Sequence, residues 1–383
     1  MLSVCNFIIG VGAFVVIGVL NPIADTFQIS ASEAGFMMTA YAVAYAIGSP
    51  LCVAFSGRYS RRNVLMLGMA LFGLGSLLTA TAATPAMLHG ARIITALGAG
   101  MVTPVAAAVA LAAALPGQHG KALARVYFGL TLAQVLGVPV GSFIGYMFGW
   151  QMAFFIVVIL SAAAFAGVWR VVPAQLAFQV NTLSTLSDAL FDWRSVFSVL
   201  YTSSFIATFY VLYTYFAPLL AQVMNYGRDG ITLTLLVFGV GAVFGNMLGG
   251  RLTDAIGPYR TLMLGCFATI LFLPMYSLLP VPDIVLMGFT FLMSVLGWTF
   301  IVAQQTRLVE QTPERQNVVL ALNAAAIYMG VALGSSLGGS IIDWVGINRL
   351  GIGAGICGVV TALHLVLSER WSPARNRVSA AAG

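Results

Sequence analysis

Apolar runs of about 20 residues, the length that a helix needs to cross a bilayer, follow one another along almost the whole chain. Charged residues, prolines and glycines separate them and divide the 383 residues into twelve such stretches. The predicted spans are 4–25, 35–56, 63–83, 87–113, 123–147, 152–171, 195–221, 231–250, 260–280, 283–306, 318–342 and 350–368. We therefore predict an all-α membrane protein with twelve transmembrane helices.

The composition excludes most soluble classes of protein. Charged residues make up 7% of the chain and hydrophobic residues 60%, whereas a soluble protein has about 25% charged residues. With so few charges, a soluble enzyme or a nucleic-acid-binding domain could not cover its surface, so we expect a lipid bilayer around the protein and no nucleic-acid partner. The four cysteines lie in apolar runs without short spacing and indicate neither a disulfide nor a metal site.

One loop is much longer than the others. Residues 172–194 combine Asp188, Asp192 and Arg194 with serine, threonine and asparagine, and they separate six spans from six. We expect an N-terminal six-helix bundle at 1–171, a cytoplasmic linker at 172–194, and a C-terminal six-helix bundle with a short cytoplasmic tail at 195–383.

The positive residues predict the orientation. With the N-terminus in the cytoplasm, fourteen Lys and Arg residues fall on the cytoplasmic side and two, Arg228 and Arg349, on the outer side. Positive residues concentrate in cytoplasmic loops, so both termini are expected to be cytoplasmic. The remaining one, Arg92, falls inside the fourth span.

The sequence repeats itself at an offset of 197 residues. The block 65–68 (Leu-Met-Leu-Gly) matches 262–265, and Pro116 and Gly149 fall on Pro313 and Gly346. A duplicated six-span unit predicts two pseudo-symmetric six-helix bundles of the same topology, an arrangement of alternating-access carriers whose substrate site lies between the halves near mid-membrane.

Four segments carry recognisable motifs. They are the loop Gly250–Arg260 with Asp254 and Gly257, span four with Arg92 and Gly98, span five with Gly137, Pro139 and Gly141, and the pair Phe238–Asn246 and Ala321–Ala326 in spans eight and eleven. Together they resemble the major facilitator superfamily, and specifically its twelve-span drug:proton antiporter branch, which includes the arabinose-efflux-type permeases. The resemblance covers essentially the whole chain.

That resemblance implies a bacterial inner-membrane carrier, acting as a monomer without a cofactor, that exports drugs, sugars or metabolites by proton-coupled antiport through alternating access. The main alternative is a proton-coupled nutrient or sugar importer on the same scaffold. A non-transporting receptor or assembly factor would need a docking domain, and a membrane enzyme would need a clustered catalytic or metal set; neither is visible.

The cytoplasmic loops supply candidate gating residues. Gly250, Asp254, Gly257 and Arg260 match the family loop, in which a helix-end carboxylate near arginines and a helix N-terminus can latch the two halves. The first-half copy has lost the acid, because glycine stands at position 57, and it retains Arg58, Arg61 and Arg62. Membrane orientation alone is the alternative role for these arginines.

Span five carries the antiporter signature. Pro139 bends the helix, and the glycines at i and i+4, Gly137 and Gly141, allow close helix contact. The resemblance implies a seal against the equivalent span eleven, with Gly334 and Gly338, whereas ordinary small-residue packing is the simpler interpretation.

Two charged residues are the candidates for proton coupling. Asp25 ends span one and Arg92 lies about two turns inside span four, so we expect similar depths and a carboxylate whose protonation depends on burial and on Arg92. The alternatives are a solvated helix-end Asp25 and an Arg92 that extends to the outer interface.

Polar and aromatic residues predict the substrate pathway. Spans one, four, seven and ten should line the central cavity together with parts of their neighbours, and Tyr210 and Tyr213 share a helix face by their spacing. Interface anchoring and helix–helix hydrogen bonding are the alternatives. The candidates are Asn21, Tyr41, Tyr45, Gln134, Tyr210, Tyr213, Asn246, Gln304, Gln305 and Asn323. So many aromatics with so few charges favour neutral, cationic or amphipathic solutes.

Overall fold

The protein is described by a computed structural model that covers residues 1–55, 59–114, 119–173, 192–312 and 316–371. These ranges contain α-helices, short π and 3₁₀ segments, and no strand. The helices are α1 (Leu2–Phe27), α2 (Ala31–Phe55), α3 (Arg61–Ala80), α4 (Pro85–Ala112), α5 (His119–Leu132), α6 (Val138–Phe148), α7 (Trp150–Val171), α8 (Trp193–Tyr213), α9 (Phe216–Val223), α10 (Arg228–Ile256), α11 (Pro258–Phe272), α12 (Asp283–Trp298), α13 (Phe300–Gln311), α14 (Gln316–Val345) and α15 (Leu350–Arg370).

The described residues form twelve stretches that are long and apolar enough to cross a membrane. Each overlaps one predicted span, so the predicted number of spans is confirmed and the chain is a multi-pass, all-α membrane protein. Five of the described spans consist of more than one helical segment. α5 continues through the π-helical segment Ala133–Gly137 into α6, α8 continues into α9, α11 into a 3₁₀ turn, α12 into α13, and the 3₁₀ segment Ile347–Arg349 into α15.

The helix boundaries repeat with the offset seen in the sequence. Helical segments begin at residues 31, 61, 119 and 150, and again 197 residues later at 228, 258, 316 and 347. Gly149 and Gly346, which precede the last segment of each series, have φ angles of 91° and 85°. Side chains other than glycine rarely adopt this conformation, so both copies place glycine at the same connection.

The structure divides into two compact units. Unit 1 contains residues 1–173 and Tyr226–Leu236 of the described chain, and unit 2 contains 192–225 and the residues from Val237 onward. The predicted division at 1–171, 172–194 and 195–383 stays a prediction, because most of the linker lies outside the described residues.

In unit 1 the first helix is the packing centre. α1 is apolar on all sides and contacts α2, α4, α5, α6 and α7, as expected of a helix without a solvent-facing side. The span-five glycines face this helix: Gly137, Gly141 and Gly145 lie against Val11, Val15 and Val19. The small-residue packing predicted for span five is thus present, and its partner is α1.

In unit 2 the glycines of α14 pack in the same way against α8. A Cβ at Gly334 or Gly338 would meet the backbone of Ala207 or Val211. The close approach is matched by hydrogen bonds between the two helices, in which Ser203 donates to the Ala326 carbonyl at 2.8 Å. Both glycine series therefore hold helices together inside their own unit, and a role in gating stays a prediction.

The seventh span breaks at Thr214 and Tyr215, between α8 and α9. Pro218 explains the break, since a proline lacks an N–H and its ring clashes with the carbonyl four residues earlier, here that of Thr214. A hydrogen bond connects the break to α14, since the Tyr215 hydroxyl donates to the Ser335 carbonyl at 2.8 Å. In span five, Pro139 lies in the first turn of α6, two residues after the end of the π-helical segment.

Candidate functional site

Arg92 lies in the core of unit 1. Its side chain is fully buried, and its two terminal nitrogens each donate a 2.8 Å hydrogen bond, one to the carbonyl of Gly12 and one to that of Ala13. These carbonyls belong to the middle of α1, where each oxygen has a second lone pair beyond its helical hydrogen bond. The guanidinium is therefore held inside the unit and does not extend to the outer interface.

The charge of Arg92 is balanced by an aromatic ring and by backbone dipoles. Its guanidinium carbon lies 4.5 Å from the ring centroid of Tyr41, which in turn stacks on Tyr45 at 6.3 Å. Within the described ranges, Arg92 belongs to neither of the ion pairs Arg228–Asp229 and Arg307–Glu369. A buried charge costs several kcal/mol when no opposite charge compensates it, so this arginine points to function.

Asp25 lies elsewhere. It is exposed in the last turn of α1, where Gln28 caps the helix end and donates to the Asp25 backbone carbonyl at 2.7 Å. At 1.5 Å per residue, Asp25 is about 18 Å along the helix from Ala13. This distance corrects the similar depth that we expected for Asp25 and the Arg92 guanidinium, while the coupling role of Asp25 stays a prediction.

The other unit 1 candidates are scattered around α1. Tyr41 and Tyr45 are buried beside Arg92. Asn21 donates a 2.9 Å hydrogen bond to the Tyr146 hydroxyl and so joins α1 to α6. Gln134 is half-buried in the π-helical segment before Pro139.

In unit 2 two of the predicted amides meet in one buried network. Gln304 donates to the Ser198 carbonyl at 2.9 Å and to the Thr202 hydroxyl at 3.1 Å. Thr202 donates to Asn323 at 2.5 Å. Gln304 and Asn323 are 0% and 3% exposed. The network connects α8, α13 and α14, so Asn323 takes part in hydrogen bonding between helices, which was the alternative to contact with the substrate.

The remaining candidates of unit 2 have different surroundings. Tyr210 and Tyr213 contact each other edge to face at 5.7 Å, which confirms their shared face, and Tyr213 stacks on Phe238 at 4.3 Å. Gln305 is exposed, and Asn246 is half-buried on α10.

The loop between α10 and α11 has the backbone that the family resemblance leads us to expect. Gly257 has a φ of 85° and precedes α11, which explains glycine at this position. Asp254 and Arg260 are exposed, and neither belongs to an ion pair of the described residues. A Cβ added to Gly250 would have no neighbouring atom within 4 Å among those considered outside its own helix turn. The latching role of this loop stays a prediction.

The first-half loop is described in part. Arg58 lies outside the described residues. Arg61 is 4% exposed at the start of α3, and Arg62 is half-buried beside it. A positive residue that only sets the orientation in the membrane does not need to be buried, so the burial of Arg61 is not explained by orientation alone.

The sequence reasoning missed an ionic cluster in unit 2. Arg307 is 2% exposed; its Nε donates to Glu369 at 3.0 Å and its terminal nitrogen to the Ser368 hydroxyl at 2.7 Å. One turn before Ser368, His364 contacts Ser204 and Phe197 of α8. In the sequence, Arg307 follows the predicted span 283–306 and is one of the fourteen positive residues on the cytoplasmic side. The available signal was the apolar pair Leu308 and Val309, which directly follows Arg307.

No group of three His, Cys, Asp or Glu side chains within the described ranges converges as a metal site requires. The buried chemistry of the described residues is that of cations, amides, hydroxyls and aromatic rings, which can bind solutes.

Comparison with known proteins gives a consistent result. A family model described as Major Facilitator Superfamily matches residues 2–307. The MFS-type transporter YtbD of Bacillus subtilis (strain 168) is 31% identical and covers 99% of this chain and 96% of its own. A probable sugar efflux transporter of Mannheimia succiniciproducens is 26% identical over 96% of this chain and 92% of its own.

Among solved structures, a bacterial homologue of the human lysosomal transporter Spinster, in an inward-facing and occupied conformation, superposes with a TM-score of 0.76. It is 18% identical and covers 96% of this chain and 95% of its own. At this identity the likeness concerns the fold.

Proposed function

Because the chain belongs to the Major Facilitator Superfamily and is a membrane transporter, we propose that it exports small organic solutes in exchange for protons by alternating access. The expected location is the cytoplasmic membrane of a bacterium, with both termini in the cytoplasm. The distribution of positive residues supports this orientation, and the bacterial relatives support the location.

The observation that carries the proton coupling is the buried cation of Arg92. A fixed positive charge inside a unit makes the binding of another cation, a proton included, less favourable nearby. Its contacts with the carbonyls of Gly12 and Ala13 couple that charge directly to α1. A movement of α1 that alters these contacts would therefore change the affinity of the unit for protons.

We assign proton uptake to Asp25, at the exposed end of the same helix. An exposed carboxylate exchanges protons rapidly with water, whereas the buried guanidinium holds its charge. In this proposal α1 is the mechanical link between the two, since it carries Asp25 at one end and accepts the Arg92 hydrogen bonds near its middle.

Export and the solute class have separate support. The glycine–proline motif of span five resembles the antiporter signature, and one relative is named as a sugar efflux transporter. The aromatic residues of α8, with Tyr210 and Tyr213 beside Phe238, suit uncharged, cationic or amphipathic solutes.

The test is transport by the purified protein in proteoliposomes with an imposed pH gradient, with a panel of labelled sugars and lipophilic cations. An exporter accumulates solute in inside-out vesicles when the lumen is acidic. Without solute, protons leave the lumen more slowly, so the outside medium acidifies less. Accumulation when protons and solute enter together identifies an importer and overturns the direction. Equal solute flux at all gradients overturns proton coupling.

A further inference from the structure

Two exposed tryptophans lie side by side where α8 begins and α15 ends. Trp193, the first residue of α8, is 54% exposed, and Trp371, which directly follows α15, is 43% exposed. Their ring centroids are 5.5 Å apart, edge to face. An indole combines an apolar ring with a polar N–H group, so such residues are typical of the boundary between lipid and water.

Packing within unit 2 fixes this pair of rings. Phe197 lies one turn after Trp193 on α8, and its ring centroid is 5.3 Å from that of Trp371 and 4.2 Å from that of His364 on α15. The four rings form a continuous row between the two helices. The exposed tryptophans are therefore held in place by buried neighbours, as the residues of a binding site must be.

Two arginines accompany the tryptophans. The guanidinium carbon of Arg194 lies 5.7 Å from the ring centroid of Trp193. Arg370, the last residue of α15, is exposed. Neither arginine belongs to an ion pair of the described residues. Both positive charges are therefore available to an anion outside the chain.

The two neighbouring carboxylates are engaged by other groups. Asp192 caps α8, where its oxygens accept from the Arg194 backbone amide at 3.2 Å and from the Ser195 hydroxyl at 2.6 Å. Glu369 accepts from Nε of Arg307 at 3.0 Å. Three arginines against these two acids leave this end of the two helices with one net positive charge.

An exposed apolar surface continues from the tryptophans along both helices. On α8, Leu200 lies seven residues after Trp193 and is 36% exposed; on α15, Leu367 and Leu363 precede Trp371 by four and eight residues and are 39% and 58% exposed. Residues at these spacings share a helix face. The positive end is thus continuous with a surface that acyl chains can cover, which a soluble anion would not need.

We propose that Trp193, Arg194, Arg370 and Trp371, the tryptophan–arginine cluster, bind the headgroup of an anionic phospholipid. The guanidinium and indole N–H groups donate to the phosphate oxygens, which accept strong charge-assisted hydrogen bonds. With the proposed orientation, the site faces the cytoplasmic leaflet, whose anionic lipids attract basic residues. The site goes beyond the proposed function, because binding of a lipid requires neither a solute nor a proton gradient.

The experiment is native mass spectrometry of the full-length protein, delipidated in detergent, with dioleoyl phosphatidylglycerol or dioleoyl phosphatidylcholine added. The two lipids share their acyl chains and phosphate, and only phosphatidylglycerol has a net negative charge. We expect the first phosphatidylglycerol to bind about tenfold more tightly than the first phosphatidylcholine. Arg194→Gln should remove most of this preference, whereas Trp371→Leu should weaken the binding of both lipids about threefold or more.

The matched controls are Arg170→Gln and Trp169→Leu, which change the same residue types at the exposed end of α7. They should leave both affinities unchanged. Equal affinity of the parent protein for the two lipids overturns the site, and this comparison needs no variant. An equal loss of preference in Arg170→Gln and Arg194→Gln also overturns it, because binding would then follow the overall charge.

A soluble headgroup distinguishes a lipid from a free phosphate. Glycerol 3-phosphate has the phosphate without acyl chains, so it should not displace bound phosphatidylglycerol at equal concentration. Displacement would overturn the assignment to a lipid. Since none of these measurements involves transport, failure here is distinguishable from failure of the proposed export.

Discussion

Gly141 on α6 lies against Val15 on α1 so closely that a Cβ added to the glycine would overlap the valine side chain. The same relation holds one turn to either side, at Gly137 with Val11 and at Gly145 with Val19. In lipid there is no hydrophobic driving force for helices to associate. Close van der Waals packing of this kind therefore holds membrane helices together.

Gly141→Ala should therefore destabilise the protein by about 1–3 kcal/mol, the usual cost of overpacking. Val15→Ala should recover much of that loss in the double variant, because it removes the methyl groups that the new Cβ would meet. Gly90→Ala is the matched control, since nothing lies within 4 Å of the Cβ it would introduce. Thermal unfolding in detergent measures all four proteins. If Gly141→Ala and Gly90→Ala unfold at the same temperature, the close approach is not a source of stability.

The Arg92 hydrogen bonds lead to a second prediction. Arg92→Lys keeps the charge, but an ammonium on a flexible stem does not reproduce the two-pronged contact to Gly12 and Ala13. Arg92→Gln removes the charge altogether. We expect Arg92→Gln to abolish solute accumulation driven by a pH gradient while solute exchange at equal pH persists, and Arg92→Lys to reduce accumulation about tenfold, equivalent to about 1.4 kcal/mol.

Arg349→Lys serves as the control for this series, because Arg349 is exposed at a helix boundary. The rates are measured in proteoliposomes of equal protein content. Full gradient-driven accumulation by Arg92→Gln would show that the buried cation has no part in coupling.

The helices and their repeat could be predicted from the sequence because they depend on local patterns. Twenty apolar residues specify a span regardless of its neighbours, and the recurrence of Gly149 at Gly346 reflects a local backbone requirement, a positive φ. A serine three residues before a glutamate is another local pattern, and here the Ser30 hydroxyl accepts from the Glu33 amide at 3.1 Å and caps α2.

The site could not be predicted to the same extent, because it depends on the direction of long side chains. The position of Arg92 along α4 placed it near the outer end, yet packing directs its guanidinium to the middle of α1. Arg307 and Glu369 are 62 residues apart in the chain, and no local pattern connects them. The helix against which a glycine packs could not be predicted either, because a row of small residues does not identify the helix that it contacts.

Asp25 supplies a third prediction. Asp25→Asn keeps the size and polarity of the side chain but cannot exchange a proton, so it should retain solute exchange at equal pH and lose most of the gradient-driven accumulation. Glu33→Gln is the matched control, because Glu33 is also an exposed carboxylate, at the start of the next helix. Uptake into inside-out vesicles is the measurement. Export by Asp25→Asn against a gradient at the parental rate would remove Asp25 from the coupling mechanism.

The ion pair of unit 2 gives a prediction about stability that depends on unequal burial. The side chain of Arg307 is 3% exposed and that of Glu369 is 36% exposed. Glu369→Leu leaves a buried guanidinium without its counter-charge, at a cost of about 3 kcal/mol or more. Arg307→Met leaves a carboxylate that still reaches water, so it should cost less. The double variant, which leaves no buried charge, should be more stable than Glu369→Leu alone. Thermal unfolding of the three variants gives the order directly, and equal losses in both single variants would mean that hydration of Glu369 does not decide the energetics of the pair.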